Sequence, residues 1–267
     1  MKRIWLRRKW SVEVSTAQEK KVRKREFILS GIRGLDELLH GKGFPKGSIT
    51  YLLGGPGTGK TTLSLQYLCE GAKMGDNGVF ISLDEGLDSI LENADEVGID
   101  LENLVNSKMI SLVDASPIVS VEGEISAQRY RRSAESSLAI LMDRIAYSAR
   151  PPAKRLVIDS LATIVLQFPE PSERRMALKG MIETIRELKI TTLLLSELSN
   201  TGKDRDYNYE EFLADGTIVM RANSAGNTLQ TFTVEKMRGV ENDKRPHPYK
   251  IVKGSGVEVF PNELAEF

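Results

Sequence analysis

The stretch that most constrains this chain is Gly54-Gly55-Pro56-Gly57-Thr58-Gly59-Lys60-Thr61, followed by Thr62. It satisfies the spacing G-x-x-x-x-G-K-S/T and lies between an apolar run, 49–53, and a helical run, 60–74. Glycines at these positions let successive backbone N–H groups turn inward as an anion nest. The start of the helix adds partial positive charge. Lys60 then offers an ammonium to the β- and γ-phosphates of a nucleotide, and Thr61 a hydroxyl to Mg²⁺. Residues 55–62 are therefore the candidate ATP-binding residues, with ATP and Mg²⁺ as the implied ligands.

Strands and helices go on alternating downstream. Residues 79–83, 109–113, 156–158 and 191–195 read as buried strands, and helical runs end near 148 and span 174–189. In the latter, Leu178, Met181, Ile182, Ile185 and Leu188 recur at helical spacing. Such alternation implies βαβ units, hence an α/β fold with a mainly parallel twisted sheet flanked by helices. After Asp215 the helices stop. Residues 217–220, 229–235, 249–252 and 257–260 read as strands, which predicts antiparallel additions at the C-terminal edge of the sheet. Residues 30–39 predict a short helix, while 116–129 and 200–209 read as polar loops.

A magnesium-assisted cradle needs a second ligand. In Lys154-Arg-Leu-Val-Ile-Asp159-Ser160, three apolar residues put Asp159 at the carboxyl end of a buried strand, where α/β sheets bind ligands. Its expected role is to hold Mg²⁺ through water; the alternative is a cap on the next turn. Hydrolysis also needs a group that orients or deprotonates water. Asp84 and Glu85 follow strand 79–83 at the same edge and, with Lys60, are the candidate catalytic residues, although either acid could cap the helix near Leu87. Ser196, at the end of another strand, is a candidate sensor of the γ-phosphate.

A chain of 267 residues, 40% hydrophobic and 28% charged, suits one full α/β domain and excludes a disordered one. A single cysteine and two histidines exclude an internal disulfide and argue against zinc chemistry. No apolar run approaches the roughly 18 residues of a membrane span, and no secretory h-region opens the chain, so a cytoplasmic protein is expected. Lys+Arg and Asp+Glu balance at 37 each, yet residues 1–25 carry a net +8 and both tryptophans, Trp5 and Trp10. They read as a basic N-terminal extension ahead of a main domain, 26–267.

Several whole phrases resemble the KaiC family of RecA-superfamily ATPases, over residues from about 28 to 262. They are Gly34-Leu-Asp-Glu-Leu-Leu39, the loop at 54–62, Asp84-Glu85, Leu112-Val-Asp-Ala-Ser-Pro117 and Val157-Ile-Asp-Ser-Leu161. Residues 191–197, Glu210-Glu-Phe-Leu-Ala-Asp-Gly216 and Lys236-Met-Arg-Gly239 complete the set. The resemblance is to one domain; the circadian member of the family has two in tandem. It implies a RecA-like P-loop NTPase fold and a homo-oligomer, a hexameric ring with ATP between neighbours. Lys236, Met237 and Arg238 match the finger that reaches the neighbouring subunit's phosphates, where a cation in trans would neutralise charge developing on the γ-phosphate.

The chain also departs from the family. The catalytic pair is usually two glutamates, and here the first is Asp84. Val240 and Asn242 replace residues that are commonly Thr and His in the circadian protein. Its two phosphoacceptor hydroxyls would fall at Glu211 and Phe212, which carry none, so autokinase activity at those positions is not expected. Two functions fit this reading best: an oligomeric ATPase acting as a regulatory or signalling switch, or a DNA-binding, recombination-associated ATPase. In the second, the basic leader would bind nucleic acid; the same leader could instead bind a protein. A P-loop kinase shares the cradle but would want an Arg-rich lid, which is not found.

Overall fold

The computed structural model describes residues 25–119, 127–198, 209–223 and 229–265. The leader through residue 24, half of the first predicted polar loop and nearly all of the second lie outside them. The described chain opens with β1 (Phe27–Ile28), paired antiparallel with β2 (Phe44–Pro45) around α1 (Leu35–Leu38). α1 is shorter than its apolar spacing suggests. Gly34 enters it in the left-handed region at φ 80°, and the Asp36 carboxylate accepts the N–H groups of Ser30 and Gly31, which fixes a turn where a longer helix would begin.

The βαβ series follows: β3 (Ile49–Gly54), α2 (Lys60–Lys73), β4 (Asn77–Ser82), α3 (Leu87–Glu96), α4 (Leu101–Asn106) and β5 (Ile110–Asp114). Next come α5 (Ser116–Val119), α6 (Ala127–Ser148), β6 (Ala153–Asp159), α7 (Leu161–Gln167), α8 (Pro171–Leu188) and β7 (Thr191–Glu197). The chain continues through α9 (Tyr209–Leu213), β8 (Gly216–Asn223), β9 (Leu229–Met237), β10 (His247–Val252) and β11 (Gly256–Val259). Two predicted loops thus contain helix. At α5 the Asp114 carboxylate accepts both the N–H and the hydroxyl of Ser116, turning the chain as soon as β5 ends.

Among the described residues, nine strands form one sheet in the order β11-β10-β9-β8-β3-β7-β6-β4-β5. The six from β8 to β5 are parallel, and β9, β10 and β11 are antiparallel additions at one edge, as expected. Strand alternation divides the core in two. Leu52, Phe80, Val157 and Leu193 face α1–α4 together with apolar residues of β9–β11. Tyr51, Ile81, Ile158 and Leu194 face α6, α7 and α8. The C-terminal strands also lie against α2, where the Gln66 side chain donates to the Ser255 and Val257 carbonyls and accepts the Val257 N–H. Among the described residues no helix is long and apolar enough to cross a membrane.

Candidate active site

The loop between β3 and α2 is held by glycines for separate reasons. Gly57 and Gly59 take φ of 72° and 85°, which side chains rarely adopt. A Cβ at Gly59 would also fall 2.6 Å from Ile251 Cδ1, and one at Gly54 2.6 Å from Thr58 Oγ1, whereas at Gly55 and Gly57 it would meet open space. The loop is therefore packed from below and open above. No side chain caps the N-terminus of α2. The Lys60 ammonium bends back over the loop, donating to the carbonyls of Gly54 at 2.9 Å and Gly55 at 3.1 Å. Burial lowers its pKa, opposed by the charges of Asp159 and Glu197.

Strand register brings the other candidates to the same edge. Gly54 pairs with Glu197 and Leu53 with Ser196; Ser82 pairs with Asp159. Across the carboxyl ends the order is thus the loop, Ser196–Glu197, Asp159, then the turn after β4. Thr61 Oγ1 donates to Asp159 Oδ2 at 2.8 Å. Burial pushes the Asp159 carboxyl up to about 6; the Thr61 hydrogen bond and Lys60 oppose the rise, and the charges of Asp84 and Glu85 add to it. A half-shielded carboxylate among other acids, touching a hydroxyl, is a hard-oxygen donor set short of positive charge. It fits Mg²⁺, which takes one or two protein oxygens and completes its shell with phosphates and water. Among the described residues no group of three or more His, Cys, Asp or Glu could cage an ion by itself.

The two acids after β4 have different surroundings. Ser82 Oγ donates to the Glu85 carbonyl at 2.6 Å and accepts the Glu85 N–H, closing a tight turn. Glu85 lines a cleft of about 240 Å³ with Gly57, Lys60, Thr61 and Thr62, and its Oε2 accepts from Asn93 Nδ2 at 3.4 Å. Asp84 is exposed and has no hydrogen-bond partner among the described residues. Neither acid caps α3, whose N-cap is Gly86. Ser196 lines a separate cavity of about 260 Å³ with Leu161, Val165, Arg174 and Glu211.

Lys236, Met237 and Arg238 stand at the opposite edge. Met237 pairs with Gly216, which is level with Thr50 at the start of β3. The cradle begins beyond Gly54, four residues and roughly 13 Å further along the strand. Lys236 Nζ donates to the carbonyls of Glu211 and Ala214 at 3.0 and 2.7 Å, and its burial lowers its pKa. Arg238 donates to the Phe212 carbonyl and pairs with Asp215 at 3.6 Å. Both cations thus rest on the C-terminal end of α9. Arg25 donates to the Arg238 carbonyl at 2.8 Å. Val240 is buried and Asn242 points inward, donating to the Val234 carbonyl, so neither extends the finger outward. One contact had no signal in the sequence: Tyr249 Oη donates to the Thr58 carbonyl of the loop from 191 residues away.

The sequence model of the KaiC ATPase matches residues 28–264. This chain belongs to the KaiC ATPase family. It is 32% identical over 240 residues to the circadian clock oscillator protein KaiC of Nostoc sp., covering 88% of this chain and 44% of that one. A protein of Aeropyrum pernix named UPF0273 protein is 31% identical over 240 residues, covering 89% of this chain and 94% of its own length. The crystal structure of a KaiC-like protein from Pyrococcus horikoshii OT3 superposes with a TM-score of 0.68 at 30% identity, covering 89% of this chain and all of that one. The chain spans under half the length of the circadian clock oscillator proteins it matches.

Proposed function

We propose that this chain binds ATP·Mg²⁺ at residues 55–62 and hydrolyses it, as a ring-forming regulatory ATPase with nucleotide between subunits. The observation that carries the proposal is the meeting, at one sheet edge, of the Lys60 ammonium and the Thr61–Asp159 pair at 2.8 Å. Bound there, Mg²⁺ would neutralise phosphate charge and orient the terminal phosphoryl group. The glycine amides and the α2 N-terminus hold the phosphate oxygens. Lys60 exchanges its two loop carbonyls for the β- and γ-phosphates, which costs little because one set of acceptors replaces another. Thr61 and Asp159 are the metal oxygens, the latter through water. Asp84, with no side-chain partner among the described residues, takes the proton of the attacking water, while Glu85, tied to Asn93, shapes the cleft. Ser196, one strand from the loop, serves as the γ-phosphate sensor.

Lys236 and Arg238 act on a neighbour's nucleotide, because their own cradle lies at the far edge of the sheet. To do so they leave the carbonyls and the carboxylate they now hold at α9, so finger and α9 form a switch that responds to assembly. Residues 1–25 remain the proposed extension to the 26–267 domain, a basic arm for a partner protein or nucleic acid. Phosphate release from ATP and Mg²⁺, measured for the wild type and Lys60→Ala, tests the central proposal. Turnover in the wild type that Lys60→Ala abolishes is expected; equal release from both would reject it.

A further inference from the structure

We infer that Tyr249 is a positioning residue of the phosphate cradle: its hydroxyl fixes the peptide plane between Thr58 and Gly59 so that the Gly59 N–H faces the phosphates. The inference rests on reading residues 54–62 as the nucleotide site. Tyr249 Oη donates to the Thr58 carbonyl at 2.6 Å, and the two residues are only 2% and 3% exposed. A trans peptide points its C=O and N–H in opposite directions, and this peptide is not among the cis bonds of the chain. A Thr58 carbonyl drawn down to β10 therefore turns the Gly59 N–H away from β10, towards the open side of the loop that Gly55 and Gly57 border.

The surroundings keep this arrangement in place. Thr58 Oγ1 donates to the Gly55 carbonyl at 2.8 Å, tying the two arms of the loop together. Ile251, on the same face of β10 as Tyr249, lies beneath Gly59. Phe232 of β9 meets the Tyr249 ring edge-on at 6.3 Å, which fixes the ring and hence the hydroxyl. Burial raises the phenol's pKa, so the group stays protonated and able to donate. The antiparallel edge thus reaches across the molecule to set one donor of a nest whose residues lie elsewhere in the sequence.

Tyr249→Phe removes one oxygen and keeps the ring. Calorimetric titration with ADP·Mg²⁺ and with ATP·Mg²⁺ should show the variant binding about three- to tenfold more weakly than the wild type, the loss expected for one hydrogen bond. KM for ATP should rise by a similar factor with kcat little changed, while the melting midpoint without nucleotide falls by no more than about 4 °C. Val252→Ala, which loosens the same strand on its other face but keeps the hydroxyl, should bind within about twofold of the wild type. Equal affinity of Tyr249→Phe and the wild type overturns the inference. So does an equal loss in Val252→Ala, which would mark a merely structural strand. A wild type that binds no nucleotide defeats the site itself, a distinct result.

Discussion

Asp159 is asked to satisfy opposing demands. As a proposed metal ligand it must be ionised, yet burial and the charges of Asp84 and Glu85 raise its carboxyl from 3.8 to about 6. In the nucleotide-free protein the folded state therefore holds this proton more tightly than the unfolded chain does. Stability from this group is full below about pH 4 and is lost as pH rises through 6. Asp159→Asn keeps the shape and can still accept from Thr61, but carries no charge to desolvate. It is expected to be more stable than the wild type at pH 8 by about 1–2 kcal/mol, allowing for partial solvent access. The gain should vanish near pH 4, and Mg²⁺-dependent nucleotide binding should be lost. Denaturant unfolding at both pH values checks the stability difference; a less stable variant at pH 8 would refute the assigned cause. Wild-type affinity for ATP·Mg²⁺ should likewise weaken as pH falls below about 6.

At the scale of elements, Arg155 joins α2, β6 and the segment before α1. It is fully buried, pairs with Asp76 at 2.9 Å, donates to the carbonyls of Tyr67 and Leu29, and lies 4.6 Å over the Tyr67 ring. Gly71, inside α2, leaves the room: a Cβ there would be 2.3 Å from Arg155 Nε. Gly→Ala inside a helix normally stabilises by about 1 kcal/mol. Here it should destabilise by about 2 kcal/mol or more, because disturbing a buried ion pair costs about 3–5 kcal/mol. In an Arg155→Ala background none of the clashing atoms remains, and Gly71→Ala should be neutral or stabilising. That reversal of sign, read from a denaturant double-mutant cycle, is the test. This pair also marks where sequence reading stops. The cradle was legible because its eight residues are contiguous, and Asp159 because three apolar neighbours announce a strand end. Gly71 and Arg155 are as interdependent as Lys60 and Thr61, but their partnership exists only through the fold. α5 and α9 escaped for a different reason: helices of four and five residues are too short to show a period.

At the scale of the whole molecule, the parallel order of the sheet separates what the proposed chemistry would bring together. The cradle stands at the carboxyl ends of β3, β7, β6 and β4, and the finger at the amino end of β3, brought there by the antiparallel return of β9. In a ring built from head-to-tail contacts, one subunit's finger edge faces the next subunit's cradle. Two inactive chains should then complement each other. Lys60→Ala spoils a cradle and leaves its finger; Arg238→Ala spoils a finger and leaves its cradle. Arg238 is the better choice because its side chain is about half exposed and holds one carbonyl at α9, whereas the more buried Lys236 holds two. Each variant alone should show background ATP turnover. In co-assembled equimolar mixtures, about one interface in four joins an intact cradle to an intact finger, so roughly a quarter of wild-type activity should return. Mixed oligomers confirmed by mass that stay at background would place the finger's action within its own chain or outside catalysis. Neither outcome depends on which partner the proposed ring would serve, because both complementing parts belong to this one chain.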